Sequence, residues 1–132
     1  MPVEVASLAR TVLVVEDEDA LRVAVSKMLR KTDFSVIEAD NGKTAVDLFR
    51  ASAQEIDVVL LDMTLPGMSG REVFEELRRI QPNVRVIITT AYSQDYALAT
   101  IGRQQPWLYI RKPYVLSELM ALLRSVCLVQ NE

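Results

Sequence analysis

Hydrophobic residues recur along the chain in five short runs rich in β-branched side chains, and each run predicts a β-strand. The predicted strands are Thr11–Val15, Ser35–Ala39, Val58–Leu61, Val84–Thr90 and Trp107–Ile110. The third and fourth runs do not alternate between apolar and polar positions, which is typical of strands that are buried on both faces of a parallel sheet. The pattern therefore predicts a sheet that is covered on both sides.

The segments between the strands carry apolar residues at helical spacing, which predicts amphipathic helices. The three clearest stripes are Leu21, Ala24, Val25, Met28 and Leu29; Val73, Phe74, Leu77 and Ile80; and Leu116, Leu119, Met120, Leu123 and Cys127. Ser69 and Glu72 have the spacing of a capping box before the second stripe, and Ser117 is a candidate N-cap for the third. Two further helices are predicted at 42–51 and at 94–103, the latter ending near Gly102.

Strands that alternate with single helices need crossover connections, which are right-handed in nearly all cases and produce a parallel sheet. Five such units predict an α/β fold of the doubly wound, flavodoxin-like type, with strand order 2-1-3-4-5. Residues 10–129 form the predicted domain, residues 1–9 a loosely held lead-in and residues 130–132 a tail. In this fold the ligand crevice lies at the carboxyl ends of the strands, where strands one and three are neighbours.

Composition narrows the possible chemistry. The 132 residues are half hydrophobic and carry a net charge of −3, which predicts one soluble, cytoplasmic domain without direct contact with a membrane or with nucleic acid. The longest uncharged stretch, residues 86–94, is shorter than the roughly 18 residues that a spanning helix needs. The chain has no histidine and a single cysteine, Cys127, so it can hold neither a histidine-dependent catalytic site nor an internal disulfide.

Acidic residues collect at the predicted crevice. Glu16 and Asp17 follow strand one and Asp62 follows strand three, so we expect the three carboxylates to lie close together. Like charges at ~4 Å repel by about 1 kcal/mol in water and about 4 kcal/mol at a protein surface. Either a raised carboxyl pKa or a bound divalent cation would relieve this repulsion. The all-oxygen donor set favours Mg²⁺, with Mn²⁺ as an alternative occupant.

Lys112, which follows strand five, brings a positive charge to the same edge of the sheet. Acids that hold a metal ion beside a lysine are suited to receive a phosphoryl group, whose oxygens need positive charge. Without histidine the simplest acceptor is an aspartate, which would form an acyl phosphate. Asp62 is the best candidate, since it ends the central strand and precedes a loop with glycine and proline. Thr90, at the end of strand four, is placed to donate its hydroxyl to the phosphoryl group.

Four sequence motifs at these strand ends resemble those of response-regulator receiver domains, and the resemblance extends over about residues 10–129. The motifs are VLVVEDED at 12–19, LLDMTLPGMSG at 60–70, ITTAYS at 88–93 and YIRKPY at 109–114. The resemblance implies that Asp62 takes a phosphoryl group from a phosphohistidine on a histidine kinase or a histidine phosphotransfer domain. It also implies that the Mg²⁺ site is formed by Glu16, Asp17, Asp62 and the backbone carbonyl of Thr64.

The same resemblance assigns roles to the later motifs. Lys112 would pair with the phosphoryl group, Thr90 and Tyr109 would change conformation together as a switch, and a cis peptide bond would precede Pro113. The implied function is a phosphorylation-dependent switch that acts on an unidentified partner. It is not an enzyme beyond self-phosphotransfer and slow autodephosphorylation, and homodimer formation stays open. The segment 61–80 is similar to receivers of hybrid sensor histidine kinases, whereas the Glu-Asp pair departs from the commoner Asp-Asp.

Three other functions remain as alternatives. An aspartyl-phosphate phosphohydrolase would need an aspartate two residues after the nucleophile, where this chain has Thr64. A nucleotide- or flavin-binding domain would need a glycine-rich phosphate loop, and the four glycines at 42, 67, 70 and 102 form none. A phosphorylation-independent interaction module of the same fold would need none of the acidic residues.

Overall fold

The computed structural model describes residues 10–102 and 107–130, the last four of these by their backbone only. Strands and helices alternate along this part of the chain. The strands are β1 (Arg10–Val15), β2 (Phe34–Ala39), β3 (Val58–Asp62), β4 (Val86–Thr90) and β5 (Leu108–Arg111). The helices are α1 (Asp19–Arg30), α2 (Gly42–Ser52), α3 (Gly70–Ile80), α4 (Gln94–Ile101) and α5 (Leu116–Gln130).

The five strands form one parallel sheet in the order β2-β1-β3-β4-β5, which confirms the predicted fold. The register aligns the carboxyl ends of the central strands: Val15 pairs with Leu61, and Asp62 pairs with Thr89. Residues that follow these strands are therefore delivered to one edge of the sheet.

The hydrophobic core has two halves, one on each face of the sheet. Alternate residues of β1 divide between them: Leu13 and Val15 pack with α2 and α3, whereas Val12 and Val14 pack with α1 and α5. All residues of β3 and β4 are buried, because the sheet is covered on both faces. This explains why their sequences do not alternate between apolar and polar positions.

Helix starts agree with the sequence analysis in part. The capping box is confirmed: the Ser69 hydroxyl accepts a hydrogen bond from the Glu72 N–H at 3.2 Å, and the Glu72 carboxylate accepts one from the Ser69 N–H at 2.9 Å. The prediction that Ser117 caps α5 is wrong, since the helix begins at Leu116 and the Val115 carbonyl accepts its first backbone hydrogen bonds. Asn41 supplies the N-cap of α2, a cap that was not predicted from the sequence.

The predicted boundaries shift where tertiary contacts compete with local pattern. β4 begins at Val86, because the Val84 N–H bonds to the Gln81 carbonyl in the preceding turn. Trp107 precedes β5, donates its indole N–H to the Gly102 carbonyl at 3.0 Å and packs partly buried against the core. On α1, Ala24 is exposed and Ser26 is buried, the reverse of the predicted stripe.

Some predictions fall on residues that the structure leaves out. The lead-in at 1–9, the end of the fourth predicted helix at residue 103, the side chain of Cys127 and residues 131–132 of the tail lie outside the described part of the chain. Within residues 10–102 and 107–130, no helix combines the length and apolar character that crossing a bilayer requires.

Candidate functional site

Three carboxylates meet at the carboxyl edge of the sheet. Glu16 and Asp17 follow β1, Asp62 ends β3, and one oxygen of each lies within 4.8 Å of the others. Glu16 and Asp62 are buried, with 5% and 1% exposure, whereas Asp17 is exposed. The structure therefore brings together the acidic residues that the sequence placed at separate strand ends.

Lys112 reaches the same cluster from the end of β5. Its Nζ lies 2.7 Å from Glu16 Oε1 and 3.1 Å from Asp62 Oδ2. Burial lowers the pKa of Lys112, but the hydrogen bond to Glu16 and the charges of both acids raise the pKa more, so it lies above its ordinary value. The ammonium group therefore stays charged and offsets part of the negative charge of the cluster.

The two buried acids have pKa values that shift in opposite directions. Burial raises the pKa of Glu16 to about 6, with help from the charge of Asp62 and against the hydrogen bond from Lys112. Burial also raises the pKa of Asp62, but the Thr64 N–H and the charge of Lys112 outweigh it, so this pKa falls below its ordinary value. Asp62 is thus the more readily ionised of the two buried carboxylates.

The loop after β3 holds Asp62 in place. Both the backbone N–H and the hydroxyl of Thr64 donate to Asp62 Oδ1, at 2.9 and 3.0 Å. The side-chain contact was not anticipated from the sequence, and the carbonyl of Thr64 as a metal ligand stays a prediction. Gly70 starts α3 against this loop: a Cβ there would lie 2.7 Å from Met63 Cα and 2.9 Å from the Asp62 carbonyl oxygen. Only glycine allows this approach.

The predicted switch residues are joined through the backbone of Tyr92. Thr90 is fully buried at the end of β4, and its Oγ1 accepts a hydrogen bond from the Tyr92 N–H at 3.1 Å. The hydroxyl of half-buried Tyr109 donates to the Tyr92 carbonyl at 2.6 Å. Among the described residues, no hydrogen bond joins Thr90 or Tyr109 to Asp62, so their roles stay predictions.

Backbone hydrogen bonds between neighbouring strands continue past the strand ends into the site. The Glu16 N–H donates to the Ala39 carbonyl at 3.0 Å, and the Lys112 N–H donates to the Thr90 carbonyl at 2.8 Å. The peptide bond between Lys112 and Pro113 is cis, as the family resemblance implied. The ladder of the sheet therefore positions these residues directly.

An open groove of ≈ 370 Å³ adjoins Lys112. Its lining residues are Glu18, Leu21, Ala91, Lys112, Pro113 and Tyr114. Burial raises the pKa of Tyr114 to about 12, with a further contribution from the negative charge of Glu16. The phenol therefore stays protonated, and the groove offers a largely apolar surface beside the acidic site.

A doubly wound parallel sheet with an ionised aspartate, two further acids and a lysine at its carboxyl edge defines a phosphoacceptor module. The sequence model of the response regulator receiver domain matches residues 12–124, and the chain belongs to this family. It is therefore a receiver domain of two-component signalling. Receiver domains accept phosphoryl groups from histidine kinases or phosphotransfer proteins and bind Mg²⁺ in an acidic pocket.

The chain is similar to proteins of different lengths, and it spans a small part of some and most of others. It is 39% identical over 112 residues to a cyclic di-GMP phosphodiesterase of Thermotoga maritima, covering 85% of this chain and 29% of that protein. It is 31% identical over 108 residues to sporulation initiation phosphotransferase F of Bacillus subtilis, covering 82% and 86% respectively. The crystal structure of the Thermotoga maritima response regulator TrrA in complex with Mg²⁺-BeF superposes with a TM-score of 0.75 at 29% identity, covering 89% and 98%.

Proposed function

We propose that Asp62 is the phosphoacceptor of this receiver domain. The observation that carries the proposal is its environment: a buried carboxylate that stays ionised because Thr64 and Lys112 donate to its two oxygens. A phosphoryl acceptor must present a deprotonated oxygen. Neighbouring Glu16, with its pKa of about 6, is the less suitable nucleophile.

The residues of the cluster fit a magnesium ion. Three carboxylates and one ammonium leave two negative charges, which one divalent cation neutralises. The ion would be held by Glu16, Asp17, Asp62 and the carbonyl of Thr64. Mn²⁺ should bind the same oxygen donors. When bound, the metal would supply positive charge to the phosphoryl oxygens during transfer.

Phosphotransfer forms one bond and breaks one. A carboxylate oxygen of Asp62 attacks the phosphorus atom, the nitrogen–phosphorus bond of the donor histidine breaks with its electron pair staying on nitrogen, and the histidine, protonated on its other ring nitrogen, leaves as neutral imidazole. Lys112 then exchanges its contact with the carboxylate for one with the phosphoryl oxygens, where its charge remains compensated. The donor is a histidine kinase or a histidine phosphotransfer domain, whose surface would meet the groove between Leu21 and Tyr114.

The change would reach the surface through Tyr92. The Thr90 hydroxyl accepts the Tyr92 N–H and keeps its own hydrogen to donate, so a turn of this hydroxyl toward the phosphoryl group would pull on or release the Tyr92 backbone. Tyr109 is bonded to the carbonyl of the same residue and would move with it. Tyr92 and Tyr96 are exposed by 53% and 42% with ring centroids 4.7 Å apart, so a downstream partner would sense their rearrangement.

The chain acts as a switch rather than as a phosphohydrolase. A hydrolase would need an acid or base two residues after Asp62, where Thr64 instead donates both of its polar hydrogens to Asp62 Oδ1. A threonine hydroxyl cannot act as general base at neutral pH. We therefore expect one stable phosphorylation event per molecule and slow self-hydrolysis.

The test is intact-mass spectrometry after incubation with Mg²⁺ and acetyl phosphate. The wild-type chain should gain one phosphoryl group, and Asp62→Asn should gain none. Asp33→Asn is the matched control: Asp33 is exposed in the turn before β2, at the opposite edge of the sheet, and its variant should be labelled as the wild type is. An unlabelled wild type, or equal labelling of Asp62→Asn, would refute the proposal.

A further inference from the structure

We propose that Arg22 is a positioning residue for the acid pair and acts through the peptide bond between Glu16 and Asp17; this inference rests on the proposed magnesium-dependent function. Arg22 lies in the first turns of α1, and its side chain is only 14% exposed. Its NH1 donates to the Glu16 carbonyl oxygen at 3.0 Å. The bond is charge-assisted, a stronger class than a neutral hydrogen bond.

This contact controls where Asp17 points. The Glu16 carbonyl and the Asp17 N–H belong to one planar peptide unit, so the orientation of the carbonyl sets the direction in which the chain enters Asp17. The Glu16 N–H is itself fixed by the Ala39 carbonyl at 3.0 Å. Within the described part of the chain, the exposed Asp17 side chain makes no hydrogen bond. Its direction therefore depends on the backbone that Arg22 holds.

An arginine beside a cation site needs to be neutralised. Arg22 NH2 lies 2.8 Å from Asp19 Oδ1, and its Nε lies 3.4 Å from Glu38 Oε1. Glu38 also pairs with Arg30 at 3.0 Å. Two cations and two anions leave this network without net charge, so Arg22 orients the acid pair without repelling a metal ion.

The guanidinium shape is essential to this role. Arg22 serves three acceptors in different directions, namely one carbonyl and two carboxylates, as a planar group with five N–H donors can. The ammonium group of a lysine would pair with the two carboxylates, because they attract it more strongly than the neutral carbonyl does. Arg22→Lys therefore keeps the charge and an ion pair between α1 and β2 but loses the hydrogen bond to Glu16.

Arg30→Lys is the matched control. Arg30 shares Glu38 with Arg22, but its backbone contact is the Val36 carbonyl at 3.1 Å, away from the acid pair. The experiment measures Mg²⁺ affinity by titration calorimetry and Mn²⁺ affinity by electron paramagnetic resonance. Unfolding in urea without metal reports the structural cost separately. Circular dichroism confirms that both variants are folded.

We expect Arg22→Lys to weaken Mg²⁺ and Mn²⁺ binding about tenfold, the size of effect that groups supporting metal ligands have. Arg30→Lys should change either affinity less than twofold. We expect its loss of stability in urea to be similar to that of Arg22→Lys. Labelling of Arg22→Lys by acetyl phosphate should be slow at low Mg²⁺ and approach the wild-type rate at saturating Mg²⁺.

Equal metal affinities for Arg22→Lys and Arg30→Lys would overturn the positioning role, whether both stay close to the wild type or fall together. In that case Asp62 labelling of the wild type would still support the proposed function. A wild-type chain that binds no Mg²⁺ would instead overturn the proposed function, and with it the role of Arg22.

Discussion

Asp17 is the exposed member of three crowded acids, which makes Asp17→Asn an informative perturbation. Asparagine keeps the shape of the side chain and removes its charge. In the absence of metal, the Asp17 carboxylate repels both Glu16 and Asp62. We therefore expect Asp17→Asn to stabilise the metal-free protein and, at the same time, to weaken its response to Mg²⁺.

The structure sets the size of the effect. Because the three ligand oxygens lie within 4.8 Å of one another, each repulsion amounts to about 0.9 kcal/mol even at the dielectric constant of water. Two such pairs, partly offset by Lys112, give an expected gain of about 1 to 2 kcal/mol in the free energy of unfolding. For a domain of this size each kcal/mol corresponds to a rise of about 3–5 °C in melting temperature.

Magnesium reduces the stability difference between the variant and the wild type. A ligand that binds only the folded state stabilises it by RT ln(1 + [L]/Kd), about 1.4 kcal/mol when its concentration is ten times Kd. If Asp17→Asn binds tenfold more weakly, its gain at that concentration is about 0.4 kcal/mol. The advantage of the variant should therefore shrink by about 1 kcal/mol between EDTA and this Mg²⁺ concentration.

Urea unfolding followed by circular dichroism, with and without Mg²⁺, provides the measurement. Asp33→Asn serves as the control, since it removes one exposed charge at the other edge of the sheet. It should stay within about 0.5 kcal/mol of the wild type in both conditions. A metal-free Asp17→Asn that is no more stable than Asp33→Asn, or that gains as much from Mg²⁺ as the wild type, would refute the reasoning.

Three further predictions follow from the same site. Lys112→Met leaves Glu16 without its cation, and because Lys112 is partly exposed the loss should be about 2–3 kcal/mol in urea unfolding; Lys43→Met breaks only a surface pair and should cost under about 0.5 kcal/mol. Gly70→Ala forces a Cβ against the Met63 backbone and should cost about 2 kcal/mol and weaken Mg²⁺ binding in calorimetry, whereas Gly67→Ala, at φ 71° in open space, should cost about 1 kcal/mol and leave that binding unchanged. The pKa of Glu16 is about 6 in the folded protein against an ordinary 4.5. Between these two pH values the folded chain holds a proton that the unfolded chain has lost, so the metal-free unfolding free energy should fall as pH rises from 4.5 to about 6. Glu16→Gln should remove that decline, and an unchanged slope would contradict the assignment.

The fold was predictable because its signals are local and repeated. Unbroken apolar runs in β3 and β4 and helical stripes on α3 and α5 identify βα units, and the handedness of crossovers leaves few ways to join them. The convergence of Asp17 and Asp62 followed from strand order alone. Ser117 was misjudged because the Val115 carbonyl provides the acceptors that the first turn of α5 needs.

Side-chain contacts between distant elements were beyond what the sequence shows. The bond from Arg22 to the Glu16 carbonyl depends on how α1 tilts over β1, which packing decides and periodicity does not. The Thr64 hydroxyl on Asp62 likewise depends on the conformation of the loop after β3. Both residues are ordinary in sequence, and only the folded arrangement shows what they touch.

The main-chain ladder continues beyond the strands: Glu16 bonds to Ala39, Met63 to Thr89 and Lys112 to Thr90. Each of these bonds uses a backbone N–H, which is retained whatever non-proline side chain stands at the position. The side chains of the acidic site can therefore be substituted without loss of the backbone hydrogen bonds that hold the sheet together. A library randomised at positions 16, 17 and 112 should keep protected amides in the central strands, reduced only by each member's loss of global stability, while its members differ widely in metal preference and phosphorylation chemistry.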